Sequence, residues 1–374
     1  MKRKKIIIFI YGDIKEYPPT INAVNILAER NWDITVLNLK ETNTSTEINK
    51  NVTVKYFGNL KPGLINIFNF LQSVFLLLFY TVKLKPSHIL SYDGMSVFAS
   101  FIASKLTRTK WIYHQHDYWQ KPRGWLHFPY WCEMNLTKYA DTITFPQKER
   151  AELFKKAAKI KKEIIIIYNG PRKNWTANSK PANLIKKLKK QNNSVIIYQG
   201  GWAKLFLIQN IITALPKINN VAFIIIGKPL ETGIKAYYKS LIKTLDLSKS
   251  VFLIESVPYF ELPNYTCFCD IGVTKFTYSN NDPINDLLLA GASNKIIEYC
   301  ACSLSILAPD TPVNKQFIEN NNLGLTCNPE ITDDIVNKIN SLLKNKKRYS
   351  EKNITAFNNY LNFDKQFTKF LQVL

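Results

Sequence analysis

Short runs of consecutive apolar residues alternate with amphipathic stretches along most of the chain. Residues 6–10 are apolar throughout and mostly β-branched, as in a parallel strand buried on both faces. The loop 11–20 carries Gly12 and the Pro18-Pro19 pair, a helix is expected over 21–30, and a second strand over 33–38. Strand, helix and strand in quick succession make a βαβ unit. Further strands are expected at 88–92, 111–116, 140–145 and 163–168, with helices at 95–106, 133–139 and 147–158. The turn Asn169-Gly170-Pro171 then closes the first half. The rhythm restarts with strands at 194–199, 221–227, 251–255, 270–273 and 304–308, a helix at 234–245 and a final helix over 363–373. This alternation predicts an α/β protein with parallel sheets. With 374 residues, two domains are expected: 1–170, then 171–350, with 351–374 as a closing helical segment.

One stretch departs from the rhythm. Residues 64–82 are the most apolar segment and approach the length of a membrane span. Asn66, Asn69, Gln72 and Ser73 dilute it, and Lys83, Lys85 and Pro86 close it. Asn66, Asn69 and Ser73 recur at helical spacing and predict one polar stripe. A core helix with that stripe as its exposed edge is the first reading; a helix in the membrane interface and a true span stay open.

Charge adds a constraint. The formal net charge is +22, which favours polyanionic partners such as an anionic membrane face or phosphorylated substrates. Abundant Lys, Asn and Ile also reflects coding bias. Between residues 155 and 190 the basic residues outnumber the single acid, Glu163, which suits a solvated helix face or anionic head groups. Aromatics are not interleaved there as nucleic-acid binding would require, so no nucleic-acid partner is expected. Six cysteines are too few for a disulfide scaffold, and their Cys-X-Cys pairs lack zinc spacing; buried small apolar residues are the expected role. The basic N-terminus leads through a short apolar run into Gly12-Asp13 without a cleavage site, which reads as a first strand, and a cytoplasmic location is expected.

Three places carry candidate chemistry. His114 and His116 fall on one side of the strand 111–116, near its C-terminal end, where open α/β sheets bind ligands; Asp117 follows. Three histidines within this region (His114, His116 and His127) have no acidic cluster around them, so no metal is expected. The strand 194–199 runs into Gly200-Gly201-Trp202-Ala203-Lys204, where glycine allows close approach of a phosphate and the lysine can neutralise it. The third place is 292–310, a loop, a helix opening at Ser293-Asn294 and an apolar strand. Ser and Asn are favoured N-cap residues, and a helix N-terminus suits a phosphate. Glu298, one turn in, is placed to hold a ribose diol beside that diphosphate.

The run Asn294-Lys295-Ile-Ile-Glu298-Tyr299-Cys-Ala301 resembles the nucleotide-sugar motif of the GT-B glycosyltransferases, in particular glycosyltransferase family 4. Ser293, Ser303 and Ser305 stand where Pro, Gly and Pro are usual. His116-Asp117, the Ala140-Asp141 strand and Tyr168-Asn-Gly-Pro171 resemble the same family at the same places. Pro19 stands where the family often has Arg, and Ala290 where many members carry an acid. The resemblance implies two Rossmann-like domains facing each other across a cleft, with a C-terminal helix crossing back to the first. It also implies roles. Gly200, Gly201, Lys204, Ser293, Asn294, Lys295 and Glu298 would bind the donor. Gly227 and Val257 would line the base pocket, and His116 and Asp117 would serve catalysis at the sugar.

The implied activity is a retaining, metal-independent glycosyl (hexosyl) transfer without cofactor, from a nucleotide-diphosphate sugar to a lipid-linked or cell-surface saccharide. Preorganised cations and N–H groups would stabilise the leaving diphosphate. The enzyme would be peripheral on the cytoplasmic face of an anionic membrane. The serine substitutions, Pro19 and Ala290 keep open a non-catalytic glycosyltransferase-like subunit, and an epimerase on the same fold is the other alternative.

Overall fold

The computed structural model describes residues 3–14, 17–39, 49, 51–58, 64–119, 122, 124–176, 178–191, 194–277, 284, 288 and 290–374. The chain divides into two compact units, Met1–Tyr168 with Phe363–Leu374, and Asn169–Asn362. Residues 351–362 thus stay with the second unit, and the chain rejoins the first at Phe363.

The first unit holds a parallel sheet in the order β3-β2-β1-β4-β5-β6-β7. Its strands are β1 Lys5–Ile10, β2 Asp33–Leu39, β3 Thr53–Phe57, β4 His88–Tyr92, β5 Lys110–His114, β6 Thr142–Phe145 and β7 Ile165–Ile166. Ile7 and Phe9 of β1 enter one core cluster and Ile6, Ile8 and Ile10 another. Both faces are therefore covered, which explains the unbroken apolar run. Helices α2 (Leu64–Leu84), α3 (Gly94–Thr107), α4 (His127–Leu136) and α5 (Lys148–Ala157) contribute to the first cluster, and α1 (Pro18–Glu29) to the second. The C-terminal helix Phe363–Leu371 packs beside α1 through Phe363, Phe367 and Phe370.

The second unit has a parallel sheet in the order β10-β9-β8-β11-β12-β13. Its strands are β8 Ser194–Gln199, β9 Val221–Ile226, β10 Val251–Ile254, β11 Ile271–Val273, β12 Ser305–Pro309 and β13 Gly324–Cys327. Helices α6 (Asn183–Lys190), α7 (Gln209–Ala214), α8 (Ile234–Thr244), α9 (Asn294–Ala301), α10 (Thr332–Lys344) and α11 (Lys346–Ala356) surround it. In each sheet the strand order reverses once, between β1 and β4 and between β8 and β11. At such a switch the loops above the strand ends splay apart and leave a crevice.

Several expectations need correction. Pro18 and Pro19 open α1 rather than precede it, because a first helical turn needs no N–H from them. The strand 163–168 shrinks to two residues, and β3 and β13 are additional; all three are edge strands, and β3 and β13 lack a continuous apolar run. The helix expected at 133–139 starts at His127. The largest correction concerns α2. Its Asn69 and Ser73 are buried, whereas Phe68, Leu71 and Phe75 are exposed. The polar stripe can face inward because Ser73 Oγ donates to the Phe70 carbonyl at 2.7 Å and Thr81 Oγ1 to the Leu77 carbonyl at 2.6 Å. Helical hydroxyls satisfied by their own backbone need no water.

Candidate functional site

The β8/β11 switch gathers most of the motif residues of the second unit. After Gln199, the Gly200 N–H donates to the Ile226 carbonyl at 2.8 Å, and Gly227 N–H donates to Ile254 at 3.0 Å. Gly200 and Gly227 have φ of +138° and +152°, which only glycine adopts without strain. A Cβ on Gly227 would strike the Gly200 carbonyl, and one on Gly200 would strike the Lys295 side chain. The two glycine loops and the lysine therefore pack as one floor. Gly201 lies beneath Leu230, and its carbonyl accepts from the Tyr198 hydroxyl at 2.7 Å.

Helix α9 begins over this floor. Ser293 has the extended backbone of an N-cap, but its side chain makes no capping bond, contrary to expectation. Ser293 Oγ and Asn294 Oδ1 are instead buried without a hydrogen-bond partner. Buried polar atoms left open are uncommon in folded proteins and point to a missing ligand or water. Glu298 is buried one turn on. Burial pushes its carboxyl up, while the Lys295 charge and the neighbouring Tyr259 and Gln199 pull it back. The Gln199 side-chain N–H donates to Glu298 Oε2. Gln199 Oε1 in turn accepts from Thr266 Oγ1 at 2.8 Å, and its backbone N–H donates to the Tyr299 hydroxyl at 3.3 Å. Tyr259 lies within electrostatic reach of the carboxylate without a well-aligned hydrogen bond. One oxygen of Glu298 is thus fixed by an amide.

Gln199, Tyr259 and Thr266 were missed in the sequence. Gln199 left a trace, a lone polar residue ending a buried strand just before Gly200-Gly201; the other two left none. Asn169 is a further support, its N–H and side-chain amide donating to the carbonyls of Gly291 and Ala292, both at 3.2 Å. The Asn169-Gly170 turn therefore holds the approach to α9, with Ile297 packed on Gly170.

Two further expected donor residues follow the C-terminal ends of β8 and β10. The Lys204 ammonium sits 5.8 Å from the centre of the Tyr237 ring on α8, and the Lys204 backbone N–H donates to Glu231 Oε2 at 3.1 Å. Val257 is half-buried in the segment after β10.

In the first unit, His116 lies at the β1/β4 switch. Its Nδ1 is 2.9 Å from Asp93 Oδ2 and its Nε2 is 3.0 Å from Thr20 Oγ1. The ring stacks against both Tyr17 and Tyr92. Asp93 Oδ1 also accepts the His116 N–H at 2.7 Å. A carboxylate on Nδ1 makes that nitrogen the donor and leaves Nε2 to accept from Thr20. Both ring nitrogens are therefore occupied. Asp117 is exposed and receives Arg150 at 3.1 Å, and the same guanidinium donates to the His116 carbonyl at 3.0 Å. His114 is buried, bonded to Thr144 Oγ1 at 2.8 Å, and held neutral by burial. Among the described residues, no group of three or more His, Cys, Asp or Glu side chains could hold a metal ion.

Residues 179–357 match the model of the family described as glycosyl transferases group 1. A search of curated proteins by sequence gives no significant match. Among solved structures, a glycosyltransferase from Rickettsia africae is similar at TM-score 0.79 and 15% identity, covering 100% of this chain and 98% of that one. Sucrose-phosphate synthase from Thermosynechococcus elongatus gives TM-score 0.75 and 13% identity over 99% of this chain and 98% of its own. Anabaena HepE in complex with UDP-glucose gives 0.70 and 17% over 99% and 100%. The fold is GT-B, and the match to glycosyl transferases group 1 falls within the second unit.

Proposed function

We propose that the chain transfers a hexosyl group from a nucleotide-diphosphate sugar, bound at the β8/β11 switch, to a saccharide acceptor. The carrying observation is the buried carboxylate of Glu298, oriented by Gln199 one turn inside α9, beside the open Ser293 and Asn294 side chains and Lys295. A carboxylate held in this way suits a ribose diol, while Lys295, Ser293 and Asn294 supply the diphosphate with a cation and polar contacts. The charge that develops on the leaving diphosphate meets a preorganised cation, so the reaction proceeds without a metal. Gly200 and Gly201 let the backbone approach the phosphates, and Gly227 and Val257 border the base. Lys204 serves as a second cation for the phosphates after swinging off Tyr237. His116 and Asp117 act at the sugar. With both nitrogens occupied, His116 positions by shape and stacking, while Asp117, exposed beside Arg150, is the group left to meet substrate. The family resemblance favours retention of anomeric configuration. HepE, which binds UDP-glucose, is a distant structural relative, so UDP-sugars head the list of donors. The net charge of +22 supports a lipid-linked acceptor on the cytoplasmic face of an anionic membrane.

The test is thermal stabilisation across UDP-, GDP-, ADP- and dTDP-sugars, followed by turnover. A donor at 100 times its Kd should stabilise by about 2.7 kcal/mol. Failure of every donor to shift Tm would overturn the reading, and binding without transfer would leave an epimerase or a non-catalytic subunit. Glu298→Ala should weaken donor binding about 100-fold, the cost of losing a charged hydrogen-bonding partner at a buried site.

A further inference from the structure

The exposed face of α2 is the feature that glycosyl transfer does not use. Phe68, Leu71, Phe75, Phe79 and Val82 lie at three- and four-residue spacing and are 45–68% exposed. Such a stripe on one long helix exceeds the scattered apolar exposure of an ordinary surface. Phe75 and Phe79 stack on each other at 6.4 Å between centroids. The adjoining α4 adds the half-exposed rings of Phe128 and Trp131, and Phe128 packs edge-on against Phe70 of α2 at 6.1 Å. Exposed aromatic rings therefore stand on two helices of this unit.

Its charge has one sign. Helices α2, α3 and α4 contain a single carboxylate, Glu133, and it is buried. The remaining acids between residues 64 and 140, Asp93 and Asp117, are engaged with His116 and Arg150 at the C-terminal strand ends. At the opposite ends of the helices stand Lys83, Lys85, Lys105, Arg108 and Lys138, with Lys83 set over Phe79 and Lys105 and Lys138 both over Tyr139. Aromatic rings and aliphatic side chains rimmed by lysine match the boundary between acyl chains and anionic head groups.

We propose that this face docks the protein on an anionic lipid bilayer, with α2 lying in the plane of the interface. The surface deepens the membrane-borne acceptor reading above, and rests on it only for what the bound protein does there. Residues Asn66–Leu84 are long and apolar enough to cross a membrane. Crossing would tear Asn69, Phe70, Ser73 and Leu77 out of the first unit, where they are buried against its core. A second copy is disfavoured as occupant because it would bring one lysine rim against another.

Flotation of the full chain with vesicles tests the docking. Wild type should float with phosphatidylcholine vesicles containing phosphatidylglycerol, and the bound fraction should fall in high salt. Phe68→Ser with Phe75→Ser and Phe79→Ser should lower partitioning by on the order of 100-fold, as expected for removing three half-buried rings from lipid. It should keep the wild-type Tm, because the replaced rings are exposed. A control variant, Ile331→Ser with Tyr360→Ser, removes exposed apolar groups of the second unit and should float as wild type does. Several results would overturn the proposal: no binding by wild type, unchanged binding by the triple variant, wild-type protein resistant to carbonate extraction, or a dimer broken by the triple variant without lipid binding. Donor-induced stabilisation in lipid-free solution, measured on the same proteins, separates failure of docking from failure of the transferase reading.

Discussion

The two units present polar clusters at equivalent places, the switch points of their own parallel sheets, and the clusters differ in how completely they are closed. At the β1/β4 switch, His116 has both nitrogens engaged, by Asp93 and Thr20, and an aromatic ring on each face. Behind it, Glu133 Oε1 accepts from both Tyr113 and Gln115, while its Oε2 is buried without a partner, so closure is complete only around His116. At the β8/β11 switch, Ser293 Oγ and Asn294 Oδ1 are buried with no partner, and Lys295 lies across a glycine. A satisfied network fixes shape, whereas an unsatisfied one is completed by ligand. The difference separates a frame from a receptor, although both occupy the crevice position that α/β sheets offer.

The largest expected effect probes the closed cluster. Burial pushes the Glu133 carboxyl up to about 7, opposed by hydrogen bonds from Tyr113 and Gln115 and reinforced by Asp93. The folded state then holds a proton that the unfolded chain releases near its ordinary value of about 4.5, so stability falls as pH rises between those values. The full cost is about 3 kcal/mol above pH 7, from 1.36 kcal/mol per pKa unit. His88, held down to about 4 by burial and by Lys110 and Lys4, works in the opposite sense and adds stability as pH rises to 6.5. Glu133→Gln isolates the carboxylate: its stability relative to wild type should grow by about 3 kcal/mol from pH 4.5 to 8 in urea titrations. A difference independent of pH would show that Glu133 is ionised without penalty and that the frame is open to water.

The second effect probes the receptor. Gly200→Ala forces a side chain into a left-handed conformation and against Lys295, for about 2 kcal/mol of strain. If the loop and lysine form the phosphate floor, the loss should appear mainly in donor affinity, by calorimetry, with a smaller change in Tm. The reverse split would make the glycine a purely structural residue.

How much of this contrast could be read from the chain depends on whether the signal was local. The α/β rhythm, the doubly buried strands and the 292–310 motif were legible because each is carried by neighbouring residues. The closed network was not. Asp93, Thr20 and His116 are brought together from three separate stretches of chain, and Glu298 meets Gln199, which Thr266 holds in turn, from two more. The inward polar stripe of α2 was misread for a related reason. Serine and threonine report burial only once their hydroxyl partners are known, and in α2 those are backbone carbonyls one turn away.

The third effect links frame to chemistry. Asp93 has φ of +61° and ψ of 165°, a region that is costly for any residue but glycine, by roughly 1–3 kcal/mol. That strain is retained where the carboxylate takes both the His116 N–H and Nδ1. Asp93→Gly should relieve the backbone while leaving His116 unheld. Stability should stay level or rise by about 1 kcal/mol, and turnover should fall about tenfold, the loss of one charged hydrogen bond, with donor Kd unchanged. Equal losses in stability and turnover would make Asp93 an ordinary structural acid.

The smallest effect tests whether the departures from the family motif weaken the receptor. Ser303 follows α9 with φ of +60°, the left-handed position where the family uses glycine. Its N–H donates to the Cys300 carbonyl at 3.1 Å, and the Leu304 N–H reaches back to Tyr299 at 3.0 Å, so the helix terminates correctly despite the serine. Strain in the folded state therefore takes the place of a lost contact. Ser303→Gly removes the steric penalty but frees the unfolded chain, and the two contributions oppose each other. A net gain of about 0.5 kcal/mol is expected, read as a small rise in the urea midpoint with an unchanged slope. Donor affinity should not move, since the Glu298 oxygen bonded to Gln199 is fixed by β8 rather than by the end of the helix. A rise in affinity with the glycine would instead mean that the serine loosens α9 at the site itself, and that the receptor is less rigid than the frame.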